Sequence, residues 1–372
     1  MQALRLNFPG VSYVGMGAVQ ALADEARRLG TRAVLVTGSS GLRAAGVTDR
    51  LLDLLREGGV AATTFEAVPP EPDVGTVDAV RDLIRAFQAD LVVEAGGGSA
   101  LDAGKAAAAL ATTEAPTVGF HGDRAMPHRG LPHVAVATTA GTGAEVTRNA
   151  VLTDHDANLK KSIRSDAVMP TVSITDPGLT LSCPPGVTAS AGMDALVQAI
   201  ESFCSVHARP TTQALSLGAV RLVAEHLPAA WRDGQDRSAR AAVSEGSYMA
   251  GLALGSARLG AVHGLAHPLG LLHEMPHGVV CAVLMPHVLR LNRDACPTAY
   301  DELTRAMGAD PVERLRGLLD ELELPRVLGQ RPGDEWAERV LGYALASGSS
   351  LANPVQVDEA YVRQVLERVW SG

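Results

Sequence analysis

The stretch "VVEAGGGSALDAGKAAAA", residues 92–109, decides the fold class. A short β-branched run ends in three glycines, and a long alanine-rich run follows without a break. Strand, glycine turn, helix is the repeating unit of an α/β domain. Glycines let the backbone approach a phosphate closely, and the free N–H groups of a helix start attract an anion. Gly96, Gly97, Gly98 and Ser99 are therefore candidates for seating a phosphate-bearing cofactor; the plain alternative is a tight turn with no ligand. Two other loops are excluded by counting. The GxGxxG order is missing, and five residues separate Gly98 from Gly104, with Ala106 where a Walker A loop needs Ser or Thr for magnesium.

On either side the same alternation continues. "RAVLVTG" (32–38), "AATTFEAV" (61–68), "ADLVVEAGGG" (89–98) and "HVAVATTAGTG" (133–143) read as strands, and 47–59 and 76–88 as helices. Such a pattern predicts βαβ units, a parallel sheet and helices on both faces. A second glycine segment, "TTAGTGAEVTRNA" (138–150), also follows a strand and offers hydroxyls at Thr138, Thr139 and Thr142. Two such turns at neighbouring strand ends line the crevice where open α/β sheets bind nucleotides. In "LVTGSSGLRAAG" (35–46), the first regular strand ends at Gly38, Ser39 and Ser40, followed by Arg43. Dinucleotide enzymes commonly carry there an acid that binds the adenosine ribose. Without it a 2′-phosphate is not repelled, so the expectation is NADPH somewhat ahead of NADH; the alternative is a turn with an exposed arginine.

After "VSITDPGLTLSCPP" (172–185) strand signals nearly vanish and helical spacing runs to the end. The Pro-rich turn at 177–185 divides the reading into a dinucleotide-binding α/β domain, residues 1–178, and an α-helical metal and substrate domain, residues 179–372. The second half contains "VHGLAHPLGLLHEMPHG" (262–278), with four of the chain's eleven histidines. His263 and His267 share one helix face at i, i+4, as do Asp194 and Gln198 in "MDALVQAIESF" (193–203). His277 sits in "MPHGVV", at a helix start. A lone histidine on an apolar helix is usually a packed core residue. Several of them, with an acid on another apolar helix, suit a cation of the zinc or ferrous type. Such a cation stabilises an alkoxide while hydride passes to or from a nicotinamide.

The composition agrees with a globular enzyme. Of 372 residues 47% are hydrophobic and only 3% aromatic, so Ala, Val and Leu fill the interior. A net charge of −9 without a basic block argues against a nucleic-acid partner and leaves small molecules as the expected ligands. Cys183, Cys204, Cys281 and Cys296 show no CxxC pairing and read as reduced thiols of a cytoplasmic protein. "MQALRLNFPG" has no charged leader with an apolar core, and no apolar run reaches the roughly 18 residues that span a bilayer, so neither secretion nor a membrane is expected.

Eight motifs in order, "VSYVGMGAVQAL", "GGGSALDAGKA", "TTAGTGAEVTRNAVLTD", "KKSIR", "DPGLTLSCPP", "GMDALVQAIE", "GAVHGLAHPLG" and "MPHGVVCAVLMPHVLRLN", make the chain similar to the iron-containing, group III alcohol dehydrogenases. That family is related in fold to glycerol dehydrogenase and dehydroquinate synthase. The resemblance implies a Rossmann-like N-terminal domain, an all-helical C-terminal domain, and NAD(P)-dependent interconversion of an alcohol with an aldehyde or ketone. By position, the family's metal ligands fall on Asp194, Gln198, His263 and His277. Typical iron members have His where this chain has Gln198, and an amide oxygen is the weaker ligand. Glycerol dehydrogenase relatives manage with zinc on one Asp and two His. The expectation is therefore a retained Fe2+ or Zn2+ on Asp194, His263 and His277 with Gln198 close by. The alternative is a metal-free reductase of the maleylacetate reductase type, in which His263 and His277 hydrogen-bond the carbonyl; that type replaces the Asp, keeps the His and reads PHAE instead of PHGV.

The same resemblance implies that His267 shuttles a proton near the nicotinamide. It also implies that Asp102 and Lys160, with Asn149 of the second glycine segment, face the cofactor. Arg258 stands where relatives usually have a small residue, and is a candidate for binding an anionic substrate group, or else a solvated arginine. A dehydroquinate synthase-like lyase is the competing activity, disfavoured because it needs more Lys and Arg around a substrate phosphate. Relatives commonly dimerise, so a homodimer is expected.

Overall fold

Arg32–Gly38 and Leu91–Gly96 are near-continuous apolar runs because both faces of each strand are covered: the five residues from Ala33 to Thr37 and all six of the second run are buried. The computed structural model, which describes residues 5–38, 40–122, 124–331 and 333–370, sets these two strands side by side in a six-stranded parallel sheet. In chain order the strands are β1 (Val11–Val14), β2 (Arg32–Gly38), β3 (Ala61–Val68), β4 (Leu91–Gly96), β5 (His133–Ala137), β6 (Asn149–Asp154), β7 (Leu159–Arg164) and β8 (Val172–Thr175). The sheet order is β1-β8-β5-β4-β2-β3, and β6 and β7 form a separate antiparallel pair.

Six helices belong with this sheet: α1 (Leu22–Leu29), α2 (Gly41–Ala44), α3 (Val47–Glu57), α4 (Val74–Phe87), α5 (Gly98–Leu110) and α6 (Thr117–His121). Alternate strand residues feed two cores. Ala33, Leu35 and Val93 pack with Leu22 of α1 and Leu51 and Leu55 of α3, while Val34, Val36 and Val92 pack with Val77 and Val80 of α4 and Ala103 and Ala106 of α5. The chain leaves β2 toward β3 at one edge and leaves β4 toward β5 on the other side. The carboxyl ends of β2 and β4 are thus a topological switch point, where open α/β sheets bind ligands.

The helical remainder comprises α7 (Pro185–Cys204), α8 (Pro210–Arg232), α9 (Arg237–Ala257), α10 (Ala261–His273), α11 (His277–Asn292), α12 (Pro297–Met307), α13 (Pro311–Glu321), α14 (Asp334–Ala346) and α15 (Glu359–Val369). Aspartates start three of them: Asp236, Asp310 and Asp358 each accept backbone N–H groups of the first turn. The middle of α7 is buried all round and lies at the centre of this core, with Met193, Leu196, Val197 and Ile200 fully buried beside a polar stripe of Asp194, Gln198 and Glu201.

The chain forms two compact units, Asn7–Thr139 with Gly143–Cys183, and Pro184–Gly372 with Ala140–Thr142. The changeover falls at Cys183/Pro184, inside the Pro-rich turn and after the sequence division at 178/179. Side chains explain the offset: Asp176 accepts from the amides of Gly17, Val19 and Gly178, and the Cys183 thiol donates to the Thr138 carbonyl, so this turn stays on the sheet unit. The short edge strand β1, the β6–β7 ladder and the helices α1, α2 and α6 lie outside the sequence reading. Among the described residues no helix is long and apolar enough to cross a membrane.

Candidate cofactor turn and metal centre

In the sheet unit, β4 ends on Gly96 at φ 154°, a conformation that suits glycine, and α5 begins two residues later. The amide of Thr138, after β5, donates to the Gly96 carbonyl at 3.0 Å, which ties the two glycine turns together. A side chain on Gly97 would meet Thr139 at 3.2 Å, so the backbone at the start of α5 is kept bare. Gly98 and Ser99 then present the unpaired first-turn amides of a thirteen-residue helix. This turn can hold a phosphate without any side-chain cation.

The segment after the second glycine turn is anchored from inside. Lys105 on α5 is fully buried, and its ammonium donates to the carbonyls of Ala144 at 2.8 Å and Asn149 at 2.5 Å. Asp102, one turn earlier, approaches the Lys105 ammonium at 3.4 Å and accepts the Val151 amide at 2.9 Å. Burial pushes the Asp102 carboxyl up and the Lys105 ammonium down, each opposed by the other's charge. Asp102 and Asn149 therefore fix β6 beside α5. Lys160 on β7 pairs with Glu71 at 2.7 Å. Gly38 is half-buried at the end of β2, Ser40 is exposed, and Ser39 lies outside the described residues. Thr142 is exposed and groups with the helical unit. Arg43 is committed to carboxylates, bidentate to Glu66 at 2.6 and 2.7 Å and to Asp49 at 2.5 Å.

In the helical unit, three helices converge their polar side chains. Asp194 comes from α7, His263 from α10, and His277 and Cys281 from successive turns of α11; their ligand atoms all lie within 4.8 Å of one another. The approach of α11 to α7 depends on Gly278, where a Cβ would fall 2.0 Å from the Ser190 carbonyl oxygen. His263 Nε2 lies 3.3 Å from Asp194 Oδ1, and its Nδ1 lies 2.6 Å from Glu201 Oε2. The other Glu201 oxygen accepts the Val262 amide at 2.6 Å. Burial alone works against charge on His263, but Cys281, Glu201 and Asp194 together hold the imidazole well above its ordinary pKa. A bound cation would take the place of the Nε2 proton. The Cys281 thiol is pushed up to about 11, chiefly by burial.

Gln198 lies one turn from Asp194 on the same face of α7. Its amide nitrogen donates to Asp194 Oδ2 at 2.9 Å, which orients the amide, since a carboxylate only accepts. Gln198 Oε1 is left buried with no hydrogen-bond partner. Buried acceptors rarely go unsatisfied, so this orphan oxygen, beside acids and imidazoles, fits a missing cation. His267 stacks on His277 with ring centroids 5.0 Å apart. His273 Nε2 instead accepts from the Trp370 indole N–H at 3.2 Å.

Comparison with known proteins gives the family. Residues 9–177 match the family described as iron-containing alcohol dehydrogenase, and residues 188–370 match the Fe-containing alcohol dehydrogenase family, C-terminal. The chain belongs to the iron-containing alcohol dehydrogenase family. It is 36% identical over 389 residues to long-chain-alcohol dehydrogenase 1 of Geobacillus thermodenitrificans, covering 100% of this chain and 98% of that protein. Its fold superposes on 1,3-propanediol oxidoreductase with a TM-score of 0.94 at 34% identity, covering 99% and 100% of the two chains. Sulfoacetaldehyde reductase from Bifidobacterium kashiwanohense, solved in complex with NAD+, gives 0.92 at 31% identity, covering 99% of each.

As an iron-containing alcohol dehydrogenase, this chain is an oxidoreductase that interconverts an alcohol and a carbonyl compound with a nicotinamide cofactor and a metal. Two residues of its cluster escape the sequence reading. Glu201 follows Asp194 by seven positions, hence on the same helical face, and Cys281 follows His277 by four; both spacings were legible, but neither residue type draws notice on an apolar helix. Arg258 is exposed at the end of α9, with φ at 66°, its carbonyl accepts from Ser202, and its charge lowers the pKa of His207 after burial has done so.

Proposed function

We propose that the protein is an NAD(H)-dependent alcohol dehydrogenase and aldehyde reductase whose metal is held by Asp194, His263 and His277. The supporting observation is the convergence of these three side chains, from α7, α10 and α11, on one buried point. When bound there, a divalent cation supplies charge stabilisation to the substrate oxygen, and the nicotinamide supplies or receives the hydride. Glu201 holds the Nδ1 proton of His263, which fixes the tautomer that turns Nε2 inward. Gln198 holds Asp194 Oδ2 and leaves Oδ1 facing the imidazoles. His267, half-buried and stacked on His277, delivers the proton that balances the hydride, so that aldehyde, NADH and a proton give alcohol and NAD+.

In the sheet unit, the amides of Gly96, Gly97, Gly98 and Ser99 receive the pyrophosphate, with Thr138 and Thr139 beside them. Asp102, Asn149 and Lys160 act behind this surface by fixing the β6–β7 segment. NADH is preferred to NADPH, against the sequence expectation, because Arg43 already serves Glu66 and Asp49 and their carboxylates oppose a 2′-phosphate. Four cysteines outside any disulfide suit the cytoplasm, and the β1 edge, with Val11 and Val14 exposed, suits pairing in a homodimer. Steady-state consumption of NADH and of NADPH against a panel of neutral and anionic aldehydes tests this reading. NADH turnover with at least one aldehyde is expected; no turnover of either cofactor would reject the oxidoreductase assignment, and a tenfold advantage for NADPH would reject the role given to Arg43.

A further inference from the structure

We infer that Cys281 is a metal ligand, a thiolate that joins Asp194, His263 and His277 and turns the site toward zinc. This rests on the metal-dependent reading above only in sharing its site. The family resemblance implies four ligands, and here the second position on α7, Gln198, is an amide engaged with Asp194 through its nitrogen. Cys281 stands one turn beyond His277 on α11, is fully buried, and points its sulfur at both imidazoles.

The distances are those of a coordination polyhedron. Zinc binds sulfur at about 2.3 Å, imidazole nitrogen at about 2.05 Å and carboxylate oxygen at about 2.1 Å, which for a tetrahedron gives edges of about 3.6 Å between sulfur and nitrogen and about 3.4 Å between nitrogen and oxygen. Cys281 Sγ lies 3.6 Å from His277 Nε2 and 3.9 Å from His263 Nε2. Asp194 Oδ1 lies 3.3 Å from His263 Nε2 and 3.9 Å from His277 Nε2. Four side chains thus already stand near the corners that one ion of this size requires.

The chemistry of the donor set names the ion. One thiolate, two imidazoles and one carboxylate form a softer set than one carboxylate and three imidazoles, and sulfur favours zinc over ferrous ion. In such a site the thiolate sulfur and the Nε2 lone pair of His263, whose Nδ1 faces Glu201, would be the donors turned to the cation. A zinc ion held by these four side chains would supply charge stabilisation to the substrate oxygen. The other cysteines are placed differently: Cys183 and Cys296 donate to backbone carbonyls, and Cys204 lies in the apolar core.

Cobalt substitution tests this in the full chain. Protein stripped of metal and reloaded with Co2+ should hold one equivalent and show an intense sulfur-to-cobalt charge-transfer band in the near ultraviolet. Cys281→Ser should lose the band and bind zinc at least tenfold more weakly, while Cys183→Ser keeps both. In competition, the wild-type chain should take zinc before ferrous ion, and Cys281→Ser should narrow that preference. One equivalent of cobalt without the band, which needs no variant to read, overturns the thiolate ligand and leaves the oxidoreductase reading standing. Retention of no cobalt at all overturns the ligand set. NADH-linked aldehyde reduction in the same samples reports on the proposed activity separately.

Discussion

Replacing Glu201 by Gln isolates the carboxylate that holds His263. In the wild-type chain one Glu201 oxygen accepts from His263 Nδ1 at 2.6 Å and the other from the Val262 amide at 2.6 Å, with the side chain 4% exposed. Glutamine keeps the shape but not the pair of acceptors. If its oxygen serves His263, its NH2 group faces the Val262 N–H; if it serves Val262, it faces the imidazole donor. One buried donor is left without an acceptor in either case. The charge-assisted bond to the imidazole contributes about 1.5–3 kcal/mol. Partners of ligating histidines typically govern affinity by about 10–100-fold, equivalent to roughly 1.4–2.7 kcal/mol. The two routes agree, so Glu201→Gln should weaken metal binding by one to two orders of magnitude. Chelator competition measures the affinity, and thermal unfolding with and without added zinc measures its contribution to stability, which should shrink by the same amount. Unchanged metal affinity in a folded Glu201→Gln protein would refute the assignment of Glu201 as the group that orients His263.

Gly278→Ala places a methyl group 2.0 Å from the Ser190 carbonyl oxygen, backbone against backbone, so α11 must move away from α7; loss of about 2–3 kcal/mol in urea unfolding and of stoichiometric metal is expected. His287 on α11 has a pKa brought down to about 4, first by burial and then by Arg316, Arg290 and Arg368. The unfolded chain therefore takes up a proton near pH 6.5 that the folded chain refuses until about pH 4, so stability is full above this window and falls as the pH drops through it. After discounting for its partly exposed ring, about 1 kcal/mol should be lost between pH 7 and pH 5, and urea midpoints for His287→Gln should lack that slope. Arg258→Ala should lower the turnover of carboxylated and neutral aldehydes equally, since the residue is exposed at the end of α9; a loss confined to carboxylated aldehydes would assign it to an anionic substrate group.

The parts of the fold that were legible in the sequence are those set by local pattern. Buried parallel strands must be apolar on both faces, so "RAVLVTG" and "LVVEAG" announce themselves, and three glycines mark the turn between β4 and α5. The edge strand β1 is only four residues long and half-exposed, which leaves little pattern to read. The β6–β7 ladder is held by Lys105 and Asp102, whose importance comes from contacts some forty residues away. The candidate metal centre shows the same division. Asp194, His263 and His277 are visible by residue type, whereas Glu201 and Cys281 matter because α7, α10 and α11 converge, a fact of packing. Arg43 illustrates the converse: its residue type suggested a phosphate partner, and the carboxylates that occupy it come from α3 and from β3.

The most direct test of the account is the metal content of protein purified without chelator, measured with NADH-linked aldehyde reduction before and after metal removal. One equivalent of divalent metal, activity lost on chelation and restored by zinc, and neither seen in Asp194→Ala, is the expected result. Full activity at negligible metal content would contradict it and leave His263 and His277 to act on the carbonyl directly.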